Sequence, residues 1–214
     1  MIRIYSETVG PFQENCYLLV DDATATAVLV DPGDEPERLL AMVAAAQASI
    51  GAIWITHAHL DHVGGINGVR RVHPVPVYLH PFDRPLYDRV NTQAALYGVP
   101  FTQPEPPDRE LAEGDILTVG ATRFSVLHTP GHAPGHVVFH GDGVLLGGDL
   151  LFRGSVGRTD LPFCDADAME ASLARVAALG TETRVFPGHG PATTIGEELT
   201  HNPFLTGVAL PVRR

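Results

Sequence analysis

An apolar strand, GAIWI, runs directly into THAHLDH at residues 56–62. No other stretch constrains the fold as strongly. Three imidazoles and a carboxylate crowd the point where a buried strand ends, and polar groups in such a place need partners. His57 and His59 are two apart and share a face in extended chain. Asp61 and His62 follow, and Gly64–Gly65 then allows close backbone approach. A polar turn that happens to be histidine-rich is the plain alternative. A metal site requires further ligands from elsewhere in the chain. Imidazole suits zinc, iron, nickel or copper, and carboxylate adds affinity for harder ions.

Three later places supply such ligands. His132 lies in TPGHAPGH after the strand FSVLHT, Asp149 ends the strand GVLLGGD, and His189 lies in FPGHG after RVF. Each alone reads as a turn residue at a strand end. Together with the first run they make five histidines and two aspartates, too many for one tetrahedral ion and suited to two. The expected arrangement puts His57, His59 and His132 on one metal and Asp61, His62 and His189 on the other. Asp149 bridges them. Two ions about 3.5 to 4 Å apart activate water at neutral pH. Asp61 and Asp149 are the candidate catalytic carboxylates. Zinc is the first expectation, with iron and manganese compatible.

The rest of the chain alternates strand and helix signals. IRIYS, NCYLLVD and TATAVLVDPG read as strands, and EPERLLAMVAAAQA reads as a helix with proline near its start. VPVYLHP is a further strand. Residues 98–110 are Pro-rich and polar and read as a loop inside the domain. DILTVG, TRFSVLHT, HVVFHG and GVLLGGD are strands separated by glycine turns, and DADAMEASLARVAAL is a helix capped by Asp165. A short helix is expected around Ile195–Thr200. This pattern is α/β, with two sheets packed face to face and helices outside.

Composition narrows the partners. The chain carries a net charge of −11, which disfavours nucleic acid and anionic membrane surfaces. No apolar run reaches membrane-spanning length. The N-terminus shows no signal-peptide pattern. Cys16 and Cys164 are the only cysteines, and two so far apart make no disulfide framework, so a cytoplasmic protein is expected.

The motifs THAHLDH, TPGHAPGH, LGGDLLF and PGHG, in this order, resemble the metallo-β-lactamase superfamily. The resemblance covers residues 1–214 as one domain. It implies an αβ/βα four-layer sandwich of two mixed sheets, with the metals at one sheet edge. ENCYLLVD, LLGGDLLFRGSVGRTDLP and PGHGPATTIGEELTHNPF are most similar to the short glyoxalase II-like hydrolases. That implies hydrolysis of S-lactoylglutathione-type thioesters, a small-molecule substrate, with the thiolate as leaving group. Members of that group usually carry a helical extension for glutathione, but here only residues 190–214 follow His189. Arg158 is a candidate anchor for a substrate carboxylate, because a guanidinium pairs with it bidentately.

Two other activities share the motifs. A persulfide dioxygenase would hold one iron on His57, His132 and Asp149, and a lactonase or other esterase would act on a different carbonyl. A nuclease or a β-lactamase ranks below these, and a non-catalytic binding module lower still. His73, His80, His128, His136, His140 and His201 are expected to be structural. Asp31 either braces the histidine cluster or belongs to a turn.

Overall fold

The computed structural model describes residues 1–213. The first half builds a six-stranded sheet from β1 (Ile2–Val9), β2 (Glu14–Asp21), β3 (Thr26–Val30), β4 (Ser49–Trp54), β5 (Val77–Leu79) and β6 (Arg109–Glu110). Strands β1–β3 are joined antiparallel, and β3–β6 run parallel. The second half builds another, in the order β14 (Thr193–Thr194), β13 (Arg184–Pro187), β10 (Val144–Gly148), β9 (Val137–Gly141), β8 (Thr122–His128), β7 (Ile116–Val119). A small hairpin, β11 (Leu151–Phe152) and β12 (Ser155–Val156), lies beside it.

Side-chain alternation explains why the sheets stack. All of β2 is buried, because each face meets a different layer. Tyr17 and Leu19 join Val28, Val30 and Trp54 against Phe124, Val126 and Phe139 of the opposite sheet. Leu18 and Val20 face outward, with Leu29 and Ile53, onto Leu39, Met42 and Val43 of α1 (Pro36–Ala45). Those three helical positions fall at the i, i+3, i+4 spacing of one face. The second sheet repeats the scheme. Val138, Leu145 and Val185 turn outward onto Met169, Leu173 and Val176 of α6 (Ala166–Ala177) and onto Ile195 of α7 (Ile195–His201). The result is helix, sheet, sheet, helix: the αβ/βα sandwich expected.

The Asp165 side chain caps α6 by accepting from the backbone N–H groups of Asp167 and Ala168. Two features differ from the sequence reading. The stretch taken as a loop through residue 110 ends in β6, whose two residues pair with β5. Exposed Arg109 and Glu110 carry no apolar alternation to announce a strand. Four short helices also fill the region after β4: α2 (Leu60–Val63), α3 (Ile66–Val72), α4 (Arg84–Tyr87) and α5 (Val90–Tyr97). Three of them span two turns or less, too short for periodicity to declare.

Candidate metal centre

Topology collects the site. Strands β3 and β4 run parallel, as do β10 and β13, while β8 reaches the same direction through two antiparallel steps. Their C-terminal ends deliver Asp31, His57, His132, Asp149 and His189 to one edge of the sandwich. Glu14 arrives at that edge from the start of β2. Hydrogen bonds stitch the two sheets together there. Val137 N–H donates to the Thr56 carbonyl at 2.8 Å, and Asn15 N–H to the Gly188 carbonyl at 2.7 Å. The Tyr17 hydroxyl donates to the Pro187 carbonyl at 2.7 Å.

All seven expected ligands converge at this edge. His57 Nε2 lies 3.0 Å from His59 Nδ1, which is 2.8 Å from His132 Nε2. On the other side His189 Nε2 is 3.3 Å from Asp61 Oδ2. Asp149 stands between the two groups. Its Oδ2 is 3.5 Å from both His132 Nε2 and His189 Nε2, and its Oδ1 is 3.5 Å from His62 Nε2. His57, His59 and His132 thus form one compact donor set, and Asp61, His62 and His189 form another.

Hydrogen bonds aim these nitrogens inward. Thr56 donates its hydroxyl proton to Asp31 Oδ2 and accepts from His57 Nδ1, so His57 Nε2 carries the lone pair. His62 Nδ1 donates to Asp31 at 3.0 Å, His132 Nδ1 to the Arg158 carbonyl at 2.8 Å, and His189 Nδ1 to the Gln13 carbonyl at 3.2 Å. Four imidazoles therefore turn their Nε2 toward a common space. Burial keeps His57 and His132 unprotonated, and lone pairs this close repel unless a cation lies among them. His62 Nε2 and Asp149 Oδ1 are buried with no hydrogen-bond partner, as atoms reserved for a metal would be. The donor set of imidazole and carboxylate fits two divalent ions, and zinc, iron and manganese are all compatible. Backbone without side chains makes room for it. A Cβ at Gly188 would strike Asp149 Oδ1 and His62, and one at Gly157 would strike the Asp149 carbonyl.

Electrostatics differ across the site. Burial, reinforced by neighbouring imidazoles, holds His57 well below the usual histidine range and brings His59 down to about 3. Burial acts on His62 in the same direction, but Asp149 and Asp31 outweigh it and the pKa lies well above the usual value. His189 is raised by Asp61 and Asp149 against its own burial.

The other sequence candidates take definite places. His136 Nδ1 pairs with the Thr129 hydroxyl and its Nε2 accepts the Asp149 backbone N–H, so both ring nitrogens are engaged. The Cys164 thiol donates to the His132 carbonyl at 3.0 Å. Arg158 lines the cleft above the cluster, but its guanidinium is forked onto Asp160 at 2.7 and 2.9 Å. Two residues escaped the sequence reading. Asp83 is fully buried and accepts from Ala58 N–H and Gly135 N–H, clamping the two loops that carry His57, His59 and His132. Glu14 is 1% exposed, both its oxygens lack partners, and it lies 4.0 Å from His62 Nδ1. Neither sits in a metal-ligand spacing. Only the acidic residue opening the apolar strand ENCYLLV hinted at Glu14.

Fold and site together define a metallo-hydrolase built on an αβ/βα sandwich. Residues 9–189 match the profile of the metallo-beta-lactamase superfamily, and the chain belongs to that superfamily. Hydroxyacylglutathione hydrolase GloC of Haemophilus influenzae is 37% identical over 92% of this chain and 95% of its own. A protein called TTHA1623, solved in a di-iron-bound form, is 49% identical with a TM-score of 0.87. That alignment covers 94% of this chain and 100% of TTHA1623. BLEG-1 B3 metallo-beta-lactamase is 42% identical with a TM-score of 0.90, covering 96% of this chain and 100% of its own. No helix among the described residues is long and apolar enough to cross a membrane.

Proposed function

We propose that the protein is a glyoxalase II-like thioesterase acting on S-lactoylglutathione-type thioesters. His57, His59 and His132 would hold one divalent ion and Asp61, His62 and His189 the second, with Asp149 as the carboxylate placed between the two sets. The observation that carries this reading is Asp149 standing 3.5 Å from a ligand of each donor set. Resemblance to the Haemophilus hydrolase over nearly its whole length supports the choice of thioester.

Two bound ions would supply an activated water and a Lewis acid for the thioester carbonyl. The chain's own residues do the rest. Asp31 fixes His62 directly and His57 through Thr56, so the ligand geometry is set before any ligand binds. Asp61 and His189 are the more exposed members and face the cleft where substrate enters. An anionic substrate group reaching Arg158 competes with Asp160 for the guanidinium. The two thiols are unbridged, which suits a reducing compartment such as the cytoplasm. Zinc is our first choice of metal, with iron the first rival, since TTHA1623 carries two irons.

The test is hydrolysis of S-lactoylglutathione by protein loaded separately with zinc, manganese and iron. Rapid turnover that chelation abolishes is the expected result. No turnover with any of the three overturns the substrate assignment and leaves the metal centre standing. Iron-dependent oxygen uptake with glutathione persulfide would then favour the dioxygenase reading. Cleavage of a β-lactam is a second reading, favoured by the likeness to BLEG-1 over the whole of that chain. Turnover of a chromogenic cephalosporin faster than of the thioester would establish it.

A further inference from the structure

The cleft over the donor cluster does not end there. It encloses about 290 Å³ above His59, Asp61, His132, Asp149 and His189. A second cavity of about 200 Å³ opens beside it, and the two share His59, Gln93, Tyr97 and Leu161. Leu86, Leu96 and Phe163 continue the wall of the second cavity, and Arg89 completes it. Resting on the hydrolase reading above, we propose that this side cavity is a substrate subsite for an apolar arm of about four to six methylenes ending in an anionic group at Arg89, a length set by the helix geometry below.

Three observations carry the assignment. First, the wall is apolar and wet. Leu96 is 82% exposed, and Tyr97 and Phe163 are each 53% exposed, all around one cavity. Large apolar side chains gathered at a cavity mouth mark a place where an apolar ligand is gained. Second, Gln93 stands on the shared wall with its orientation fixed. Its Oε1 accepts the Leu60 backbone N–H at 2.6 Å. Its amide N–H₂ therefore points away from Leu60, and it has no protein partner among the described residues. That leaves a donor for a carbonyl or amide oxygen where the arm leaves the reacting centre. Third, Arg89 is the one arginine in the side cavity's wall, and its guanidinium is unpaired there. Arg84 is held by Asp88 at 2.7 Å, Arg158 by Asp160 at 2.7 Å and Arg70 by Asp108 at 3.3 Å. The Arg89 guanidinium has no ion-pair or hydrogen-bond partner among the described residues. A guanidinium without a carboxylate, in a chain of net charge −11, is a place for a ligand anion.

Helix geometry sets the length of the arm. Arg89 caps α5 one turn before Gln93, and four residues of helix span about 6 Å. An arm rooted beside Gln93 covers that distance with a short methylene chain and brings its terminal charge to the guanidinium.

The experiment uses the zinc-loaded protein and two series of thioesters. One carries straight acyl chains of increasing length on N-acetylcysteamine, and the other carries acetyl groups on straight-chain thiols. Each is made with methyl and with carboxylate ends. The series that responds tells whether the arm belongs to the acyl or to the thiol side. In that series kcat/KM is expected to rise about threefold per methylene up to the predicted length. A terminal carboxylate is expected to add about tenfold, as a charge-assisted pair does. Arg89→Gln should lower the ratio of carboxylate-ended to methyl-ended rates by the same factor, and Leu96→Asp should flatten the dependence on length. Cleavage of the acetyl thioester with flat profiles in both series overturns the subsite. Should no thioester be cleaved, the hydrolase reading fails and the subsite is judged by calorimetry with ω-mercaptocarboxylates. Tightest binding at an intermediate chain length, lost in Arg89→Gln, upholds it. Affinity independent of length overturns it.

Discussion

The two donor sets are built differently although they share Asp149. His57, His59 and His132 are uncharged imidazoles, at most 6% exposed. Buried Asp83 ties their loops together. Asp61, His62 and His189 include a carboxylate, and Asp61 and His189 have side chains 20% and 27% exposed. Their neighbours Asp31 and Glu14 are buried acids. One half gains rigidity from burial and backbone clamps. The other gains negative charge and keeps access to solvent. Rigid neutral ligands favour retention of an ion in fixed geometry, and open charged ligands favour exchange and contact with substrate.

The shared residue gives the largest expected effect. Asp149→Ala should lower metal content to one ion or none, with activity down by a factor of about a thousand or more, the scale of losing a metal's Lewis acid. Two ions and full activity in that variant would show that Asp149 bridges nothing. Next comes the asymmetry itself. His189→Ala should leave about one ion per chain by elemental analysis, whereas His57→Ala should lose both. Equal losses from the two variants would erase the distinction between the halves.

Smaller effects probe the supports. Asp31→Ala should weaken metal binding about 10- to 100-fold in a chelator competition, because His62 loses its orienting acceptor. Asp83→Ala should cost about 2 to 4 kcal/mol of stability by orphaning two buried N–H groups. Its metal loss should fall on the His57 half. His136→Ala should leave metal content unchanged, and loss of one ion there would make His136 a ligand. The smallest effect is a pH slope at the edge of the clamp. His80 stacks on His128 with ring centroids 4.2 Å apart, and burial together with His128 brings its pKa down to about 4. The unfolded chain binds that proton near pH 6.5 and the folded chain only near 4. Stability from keeping His80 neutral is thus present above 6.5 and lost as pH falls toward 4. His80→Phe should show a shallower decline of Tm across that window than the parent protein.

Most long elements were legible from their apolar pattern. The continuous apolar runs in ENCYLLVD and TAVLV and the apolar stripe of α6 follow from burial in the layers of the sandwich. The helices between Leu60 and Tyr97 were not legible, since α2 and α4 are four residues each and owe their shape to packing. The same division holds in the site. Histidine and aspartate at strand ends announce themselves by type and spacing. Asp83 and Glu14 do not, because a lone carboxylate beside an apolar run looks like any turn residue until a distant loop folds over it.

By itself the sequence determined the donor chemistry, the order of the ligand motifs along the chain and the layered fold, because these depend on residue type and local period. Only the tertiary structure decided which ring nitrogen of each histidine faces inward, which carboxylate stands between the two sets, and which arginine lines the side cavity unpaired. Those depend on distances between residues as far apart as Gln13 and His189, or His59 and His132. Such distances exist only once the two sheets have closed on each other.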